Sequence, residues 1–200
     1  MMPLRNRYFI MRHGESEANR AGLIVSDPRV GVGAYGLTDE GSKQVKASLE
    51  KHASVPVTVI YTSDFARARE TAELAGEFFK VDTFVVTDLL RERFFGDYDG
   101  REDRYYHSVW EIDSRSPREY PAHIESPVRV KDRILRLIRE IEHRRDGDVV
   151  LLVSHGDTLQ ILMAVLAGIP APHHRSLPHL EKAEIREIVP AESFTAQEVL

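Results

Sequence analysis

Two short segments of this chain carry the same chemical pattern. In Ile10-Met11-Arg12-His13-Gly14 and in Val153-Ser154-His155-Gly156, a β-rich run ends in a histidine followed by glycine. Strands of a parallel sheet deliver the residues at their carboxyl ends into a common crevice, so His13 and His155 can meet although 142 positions separate them. The glycine after each histidine lets the backbone turn sharply and approach a ligand closely. Arginine supplies complementary charge: Arg12 adjoins the first histidine, and Arg67 lies at the start of a predicted helix in Ser63-Asp64-Phe65-Ala66-Arg67-Ala68. Guanidinium groups bind phosphate oxygens in a bidentate manner, as ammonium groups do not. Two arginines, two histidines and a helix N-terminus together suit a dianion.

The elements that must position these residues alternate between apolar runs and longer helical patterns, which predicts α/β architecture. Tyr8 to Met11 reads as a short buried strand, Val57 to Thr62 as a second, and Thr83 to Val86 as a third. Val149 to Val153 is the strongest strand signal, a continuous apolar run expected of a central strand covered on both faces. Helices are predicted from Thr38 (an N-cap followed by Asp39 and Glu40), over Phe65 to Phe79, from Ser126-Pro127 to about Arg145, and over Leu159 to Leu166. Val130, Ile134, Leu137, Ile138 and Ile141 form the apolar stripe of the third. Ala183 to Val189 alternates weakly and suggests a late strand. The expected architecture is one domain over residues 1–200, a three-layer sandwich with a mostly parallel central sheet and helices on both faces. Gly100 to Pro127, charged, aromatic and proline-punctuated, reads as an insertion over the core and a candidate lid.

Composition sets outer limits. Two hundred residues suit one domain, and 42% hydrophobic with 30% charged residues is an ordinary globular balance. A formal net charge of −5 argues against a general nucleic-acid binder, so a small anionic substrate needs a local cationic pocket. With no cysteine, disulfides, thiolate nucleophiles and thiolate metal sites are all excluded. Met1 to Met11 lacks the apolar core of a signal peptide, and Ile161 to Ala167 is far short of a membrane span. A cytoplasmic protein with no membrane partner is the expectation.

Blander readings compete at several positions. Arg67 could be a helix-surface cation paired with Glu70 or Glu73, and Arg91-Glu92-Arg93 an exposed charged turn. Ser154 could be a nucleophile, but the Gly-x-Ser-x-Gly pattern is absent. Gly31 to Gly36 spells Gly-x-Gly-x-x-Gly, yet neither a preceding strand nor a directly following helix accompanies it, so a loop is predicted. His173, His174 and His179 lie among prolines without metal-ligand spacing and are read as a surface loop. Arg101, Arg104, Arg115 and Arg118 are read as solvated charges, one of which could reach a substrate from the candidate lid.

Taken in order, the motifs resemble the histidine phosphatase superfamily, which includes the cofactor-dependent phosphoglycerate mutases. The residues that carry the resemblance are Arg12-His13-Gly14-Glu15, Asn19, Leu37-Thr38 with Gly41 and Gln44, Ser63 to Thr71, Leu90 to Arg93 with Gly96, Glu125-Ser126 and Ser154-His155-Gly156. They span nearly the whole chain. The resemblance implies a phosphoglycerate mutase-like fold and assigns roles. His13 is the expected nucleophile, and Arg12, Arg67 and His155 hold the phosphoryl oxygens, with Asn19 adding a hydrogen bond. Glu92 is the expected acid toward the departing alkoxide and then the base toward water. His13 must be neutral at its attacking nitrogen, with the backbone carbonyl following Gly14 as the expected partner of the other. The scheme calls for no cofactor and no metal.

The chain departs from the family pattern at Ala21 to Ser26, where many relatives have a glycine-containing segment, and its Asp27 to Gly36 stretch is longer than usual. These differences bear on substrate contacts. The expected activity is hydrolysis of phosphate monoesters through a phosphohistidine on His13, on a small phosphorylated substrate or a phosphoprotein. The alternatives are phosphoglycerate mutation and, last, a non-catalytic binding module on the same fold. The segment from Gly100 to Ser126 is shorter than the corresponding one in true mutases, which favours the phosphatase. No signal sets an oligomeric state.

Overall fold

The computed structural model describes residues 4–115 and 119–191. In chain order the strands and helices are β1 (Arg7–Arg12), α1 (Glu17–Ala21), α2 (Pro28–Gly31), α3 (Asp39–Lys51), β2 (Val59–Ser63), α4 (Ala66–Phe79), β3 (Phe84–Thr87), α5 (Tyr106–Ser114), α6 (Pro127–Arg144), β4 (Val149–Ser154), α7 (Gly156–Leu166) and β5 (Ile185–Ile188). Short 3-10 turns lie between them, the last at Ala171–Ser176.

The five strands form one sheet in the order β3-β2-β4-β1-β5, parallel except for the antiparallel edge strand β5. Because side chains alternate across a strand, the sheet feeds two cores. Tyr8, Ile10, Val59, Tyr61, Val150 and Leu152 pack with the apolar stripe of α6 and with α7 on one face. Phe9, Met11, Ile60, Leu151 and Val153 pack with Val45 and Leu49 of α3 and Ala68, Ala72 and Ala75 of α4 on the other. The three-layer α/β expectation therefore holds. Each fully buried Ile or Leu of the α6 stripe contributes about 1.5–3 kcal/mol of transfer free energy, enough to fix which side of that helix faces the sheet.

The predicted caps act as expected. Thr38 accepts from the Gly41 amide, Ser126 accepts from the Arg129 amide, and Pro127 occupies the first turn of α6. Two expectations need correction. The last predicted helix starts three residues early, at Gly156, so its N-terminus faces the crevice directly. Residues 31–36 are not wholly loop, because Asp27 caps a one-turn helix over Pro28–Gly31. Gly31 then packs where a side chain would strike the Phe65 ring, and the Leu37 amide donates to Glu70.

The segment from Gly100 to Pro127 holds α5 and a small core of its own, in which Val109 and Ile124 bury against Ile24 and Phe95. Arg101 and Arg104 are exposed over tyrosine rings, Arg115 is exposed, and Arg118 lies outside the described residues. Among the described residues no helix is long and apolar enough to cross a membrane.

Candidate active site

The register of the sheet brings the two histidines together. Arg12 of β1 pairs with Ser154 of β4, so His13 and His155 emerge side by side from adjacent parallel strands. Their rings lie 5.1 Å apart, edge to face, and both are buried. Gly14 is needed for proximity rather than for a left-handed turn. A Cβ there would fall 2.5 Å from the Gly41 carbonyl oxygen, and one on Gly41 would fall 2.0 Å from the Glu15 oxygen, so the loop after His13 and the start of α3 meet through two glycines.

His13 has a defined tautomer. Its Nδ1 lies 2.7 Å from the Gly14 carbonyl oxygen, which can only accept, so this nitrogen carries the proton. The acceptor is thus the carbonyl of Gly14 itself. Nε2 accepts from Arg67 Nε at 3.1 Å, so its single lone pair is held by a guanidinium that must yield it for attack. Burial, then the charges of Arg67 and Arg12, hold the His13 pKa well below the ordinary histidine value, so the ring is neutral. Burial, and then the charge of Arg67, lower the His155 pKa in the same way.

Ser63, at the end of β2, completes the pair. Its Oγ lies 2.9 Å from His155 Nε2 and already accepts from the Phe65 amide. When the hydroxyl donates to Nε2, the imidazole proton sits on Nδ1. His155 Nδ1, Arg12 Nε and Arg67 Nη1 are buried donors with no protein partner among the described residues. Buried donors demand acceptors, and the oxygens of a tetrahedral anion supply them.

Arg67 is not the surface cation of the bland reading. It is 4% exposed, and besides His13 it donates from Nη2 to the Val25 carbonyl at 3.0 Å. Thr71, one turn further along α4, donates to the Arg67 carbonyl and accepts from the Gly14 amide. Arg12 is steered by the Leu180 carbonyl at 2.8 Å and by His179 at 2.6 Å. Asn19 sits in the capping box of α1: its Oδ1 accepts from the Ser16 amide and hydroxyl, leaving the amide nitrogen as the end available to the cavity.

Glu92 is buried as well, not an exposed turn residue. Its Oε1 accepts from the Arg93 amide at 2.9 Å and lies 3.3 Å from the Thr158 hydroxyl. Burial first, and then the nearby Asp157 carboxylate, raise its pKa, while Arg67 pulls the other way. Arg93, which follows it, is fully buried in a bidentate pair with Asp113 at 2.6 and 2.7 Å.

These groups line a cavity of about 240 Å³ that holds Arg12, His13, Asn19, Arg67 and Glu92, with Gly156 of α7 at its wall. His155 adjoins it through its contact with His13. All six side chains expected from the sequence are therefore gathered at the carboxyl ends of β1, β2 and β4. Sequence reasoning missed several neighbours. Tyr106 and Trp110 of α5 form part of the wall, as do Asp157, His179 and Lys182. Ser63 and Thr71, which bound the Ser63 to Thr71 motif, contact His155 and the Gly14 amide. Ser154 is a structural hydroxyl that donates to the Leu90 carbonyl. The reading of residues 173–179 as a surface loop also needs correction: His174 is fully buried beside Asp157, and His179 touches Arg12. Among the described residues no group of three or more His, Asp or Glu side chains is arranged to hold a metal ion.

A model of the histidine phosphatase superfamily (branch 1) matches residues 8–198. The adenosylcobalamin/alpha-ribazole phosphatase of Salmonella typhimurium is 32% identical over 82% of this chain and 81% of its own. A phosphoglycerate mutase of Schizosaccharomyces pombe is 28% identical over 82% of this chain and 81% of its own. The solved structure of a mycobacterial glucosyl-3-phosphoglycerate phosphatase with VO3 has the same fold, with a TM-score of 0.76 at 24% identity over 92% of this chain and 97% of that one. With a family model spanning the sheet, both histidine segments and the arginine helix, this chain belongs to the histidine phosphatase superfamily, branch 1.

Proposed function

We propose that this chain is a phosphatase that hydrolyses phosphate monoesters through a phosphohistidine on His13. The observation that carries the reading is the unprotonated His13 Nε2, with Nδ1 held by the Gly14 carbonyl and Nε2 by Arg67, beside three buried nitrogens that lack protein partners among the described residues. Nε2 attacks phosphorus and the bond to the ester oxygen breaks. Arg12, Arg67, His155 and Asn19 receive the three equatorial oxygens, whose charge they stabilise in the transition state. Glu92 gives its proton to the departing alkoxide. Water then attacks the phosphohistidine, Glu92 takes back a proton, and inorganic phosphate leaves with His13 neutral again.

The same reading makes residues 1–200 one catalytic domain, with the 100–127 segment as the roof of the site through Tyr106 and Trp110. Small phosphorylated metabolites are the substrate class that fits a cavity of about 240 Å³. Cytoplasmic location belongs to this proposal too, from the absence of cysteine.

The test is phosphate release from a panel containing an aryl phosphate, phosphoserine and 3-phosphoglycerate, each with and without 2,3-bisphosphoglycerate. Net phosphate release that disappears in His13→Ala is the expected result. Isomerisation of phosphoglycerate without net release would replace the phosphatase by the mutase. Silence across the panel from folded protein would favour a binding module.

A further inference from the structure

Asp157 has no part in the chemistry assigned above, yet it lies in the wall of the same cavity as Glu92. It is the second residue of α7 and only 4% exposed. Its carboxylate is anchored from three directions. Trp110 of α5 donates its indole N–H to both oxygens at 3.1 Å, and Arg93 Nη1 reaches Oδ2 at 3.4 Å. His174 Nε2 and Arg175 Nη1, from the 3-10 turn at Ala171–Ser176, stand 3.8 and 3.9 Å away. A buried carboxylate is costly unless donors surround it, and these four groups are the compensation. Arg93 is already matched by Asp113, so it only partly neutralises Asp157.

Glu92 faces a mixed set of charges. Arg67 from α4 and Arg12 from β1 favour its ionised form. The half-buried Tyr106 of α5 and the neutral His13 add no cation. Asp157 is the opposing anion.

We infer that Asp157 is a positioning residue for the proton donor: a buried anion, anchored by Trp110 and Arg93 in the wall of the cavity that Glu92 also lines, so that Glu92 enters phosphoryl transfer carrying its proton. The two carboxyls are driven apart in the manner expected of an acid and its fixed counter-charge. Burial and then Asp157 push Glu92 up. Burial also raises Asp157, but the groups facing it, His174, Arg93 and Arg175, outweigh burial and hold Asp157 below the ordinary carboxylate range. The arrangement ties the roof to the chemistry, since the Trp110 that walls the cavity also holds the anion. For its kinetic consequence the inference rests on the phosphatase reading; for its electrostatics it does not.

The experiment is a carboxyl carbon NMR titration of glutamate-labelled protein, with the Glu92 signal assigned by its loss in Glu92→Gln. Asp157→Asn should lower the Glu92 midpoint by about one pH unit. Arg175→Gln, a change at a partly exposed cation facing Asp157, should raise it, which keeps the test decisive if Asp157→Asn fails to fold. Midpoints that stay put, or that move together in one direction, would overturn the inference. In kinetics, the descending alkaline limb of kcat/KM for an alkyl phosphate should move to lower pH in Asp157→Asn. An aryl phosphate with an acidic phenol, which leaves without a proton, should lose little. Equal losses on both substrates would reduce Asp157 to a structural role and overturn the inference. Opposite midpoint shifts in a protein that hydrolyses neither ester would uphold it and sink the phosphatase reading instead.

Discussion

Arg67 Nε lies 3.1 Å from His13 Nε2, and the same guanidinium uses Nη2 to hold the Val25 carbonyl at 3.0 Å. One side chain thus orients the nucleophile, braces the loop after α1 and turns Nη1 toward the cavity. Lysine carries its three donors on one nitrogen and cannot reach three partners that the guanidinium meets with three separate nitrogens. Arg67→Lys and Arg67→Ala should both lower kcat by about 10²–10³-fold, the cost of removing one oxyanion donor. Steady-state kinetics on a small monoester check this, and full activity in Arg67→Lys would contradict it.

Ser63 sets the His155 tautomer through its 2.9 Å contact with Nε2. Ser63→Ala should leave the fold intact and weaken transition-state binding by about 1–3 kcal/mol, a loss of roughly 5- to 160-fold in kcat/KM. Ser63→Thr, which keeps the hydroxyl, should retain more activity than Ser63→Ala.

Both site histidines have pKa values depressed in the folded protein, chiefly by burial. A nucleophile with a depressed pKa stays neutral as pH falls, so the acid limb of kcat/KM belonging to His13 should lie well below pH 6.5. The same shift acts on stability. The unfolded chain takes up the protons first, so stability is full above the unfolded value near 6.5 and is lost as pH falls through it. The slope is at most about 1.4 kcal/mol per pH unit for each histidine. Urea unfolding between pH 7.5 and pH 5 should show it, and His13→Asn should remove part of the slope.

Gly14 and Gly41 allow the loop after His13 to touch the start of α3. Gly14→Ala places a methyl group against a carbonyl oxygen that belongs to a capped helix and cannot easily yield. A loss of about 1–3 kcal/mol is expected, together with a fall in activity as His13 shifts. Thermal unfolding and kinetics measured on one preparation check both.

The parts of this molecule that were legible in the sequence are those governed by short-range rules. Continuous apolar runs marked β1 and β4, Thr38 and Ser126 marked helix starts, and the paired His-Gly segments pointed to one crevice. What escaped was the tertiary surroundings of particular side chains. Nothing local distinguishes His174, buried against Asp157, from the exposed His173 beside it. The segment from Ala21 to Ser26, where the family pattern breaks, supports the site through a backbone carbonyl, that of Val25, which side-chain motifs cannot reveal. Asp99 holds the neighbouring amides of Ser26 and Asp27 from a distant loop, another contact without a local signature. Trp110 is the clearest case: its indole points into the cavity wall only because Val109 and Ile124 bury the segment that carries it.

The most direct test of the account is rapid-quench mass spectrometry of the enzyme during turnover of a monoester, with peptides kept at alkaline pH to preserve phosphoramidate bonds. The account predicts a single acid-labile phosphoryl group on His13, absent in His13→Ala and longer-lived in Glu92→Gln, where activation of water is impaired. Label on any other residue, or turnover with no phosphoenzyme at any time point while His13→Ala stays active, would contradict it.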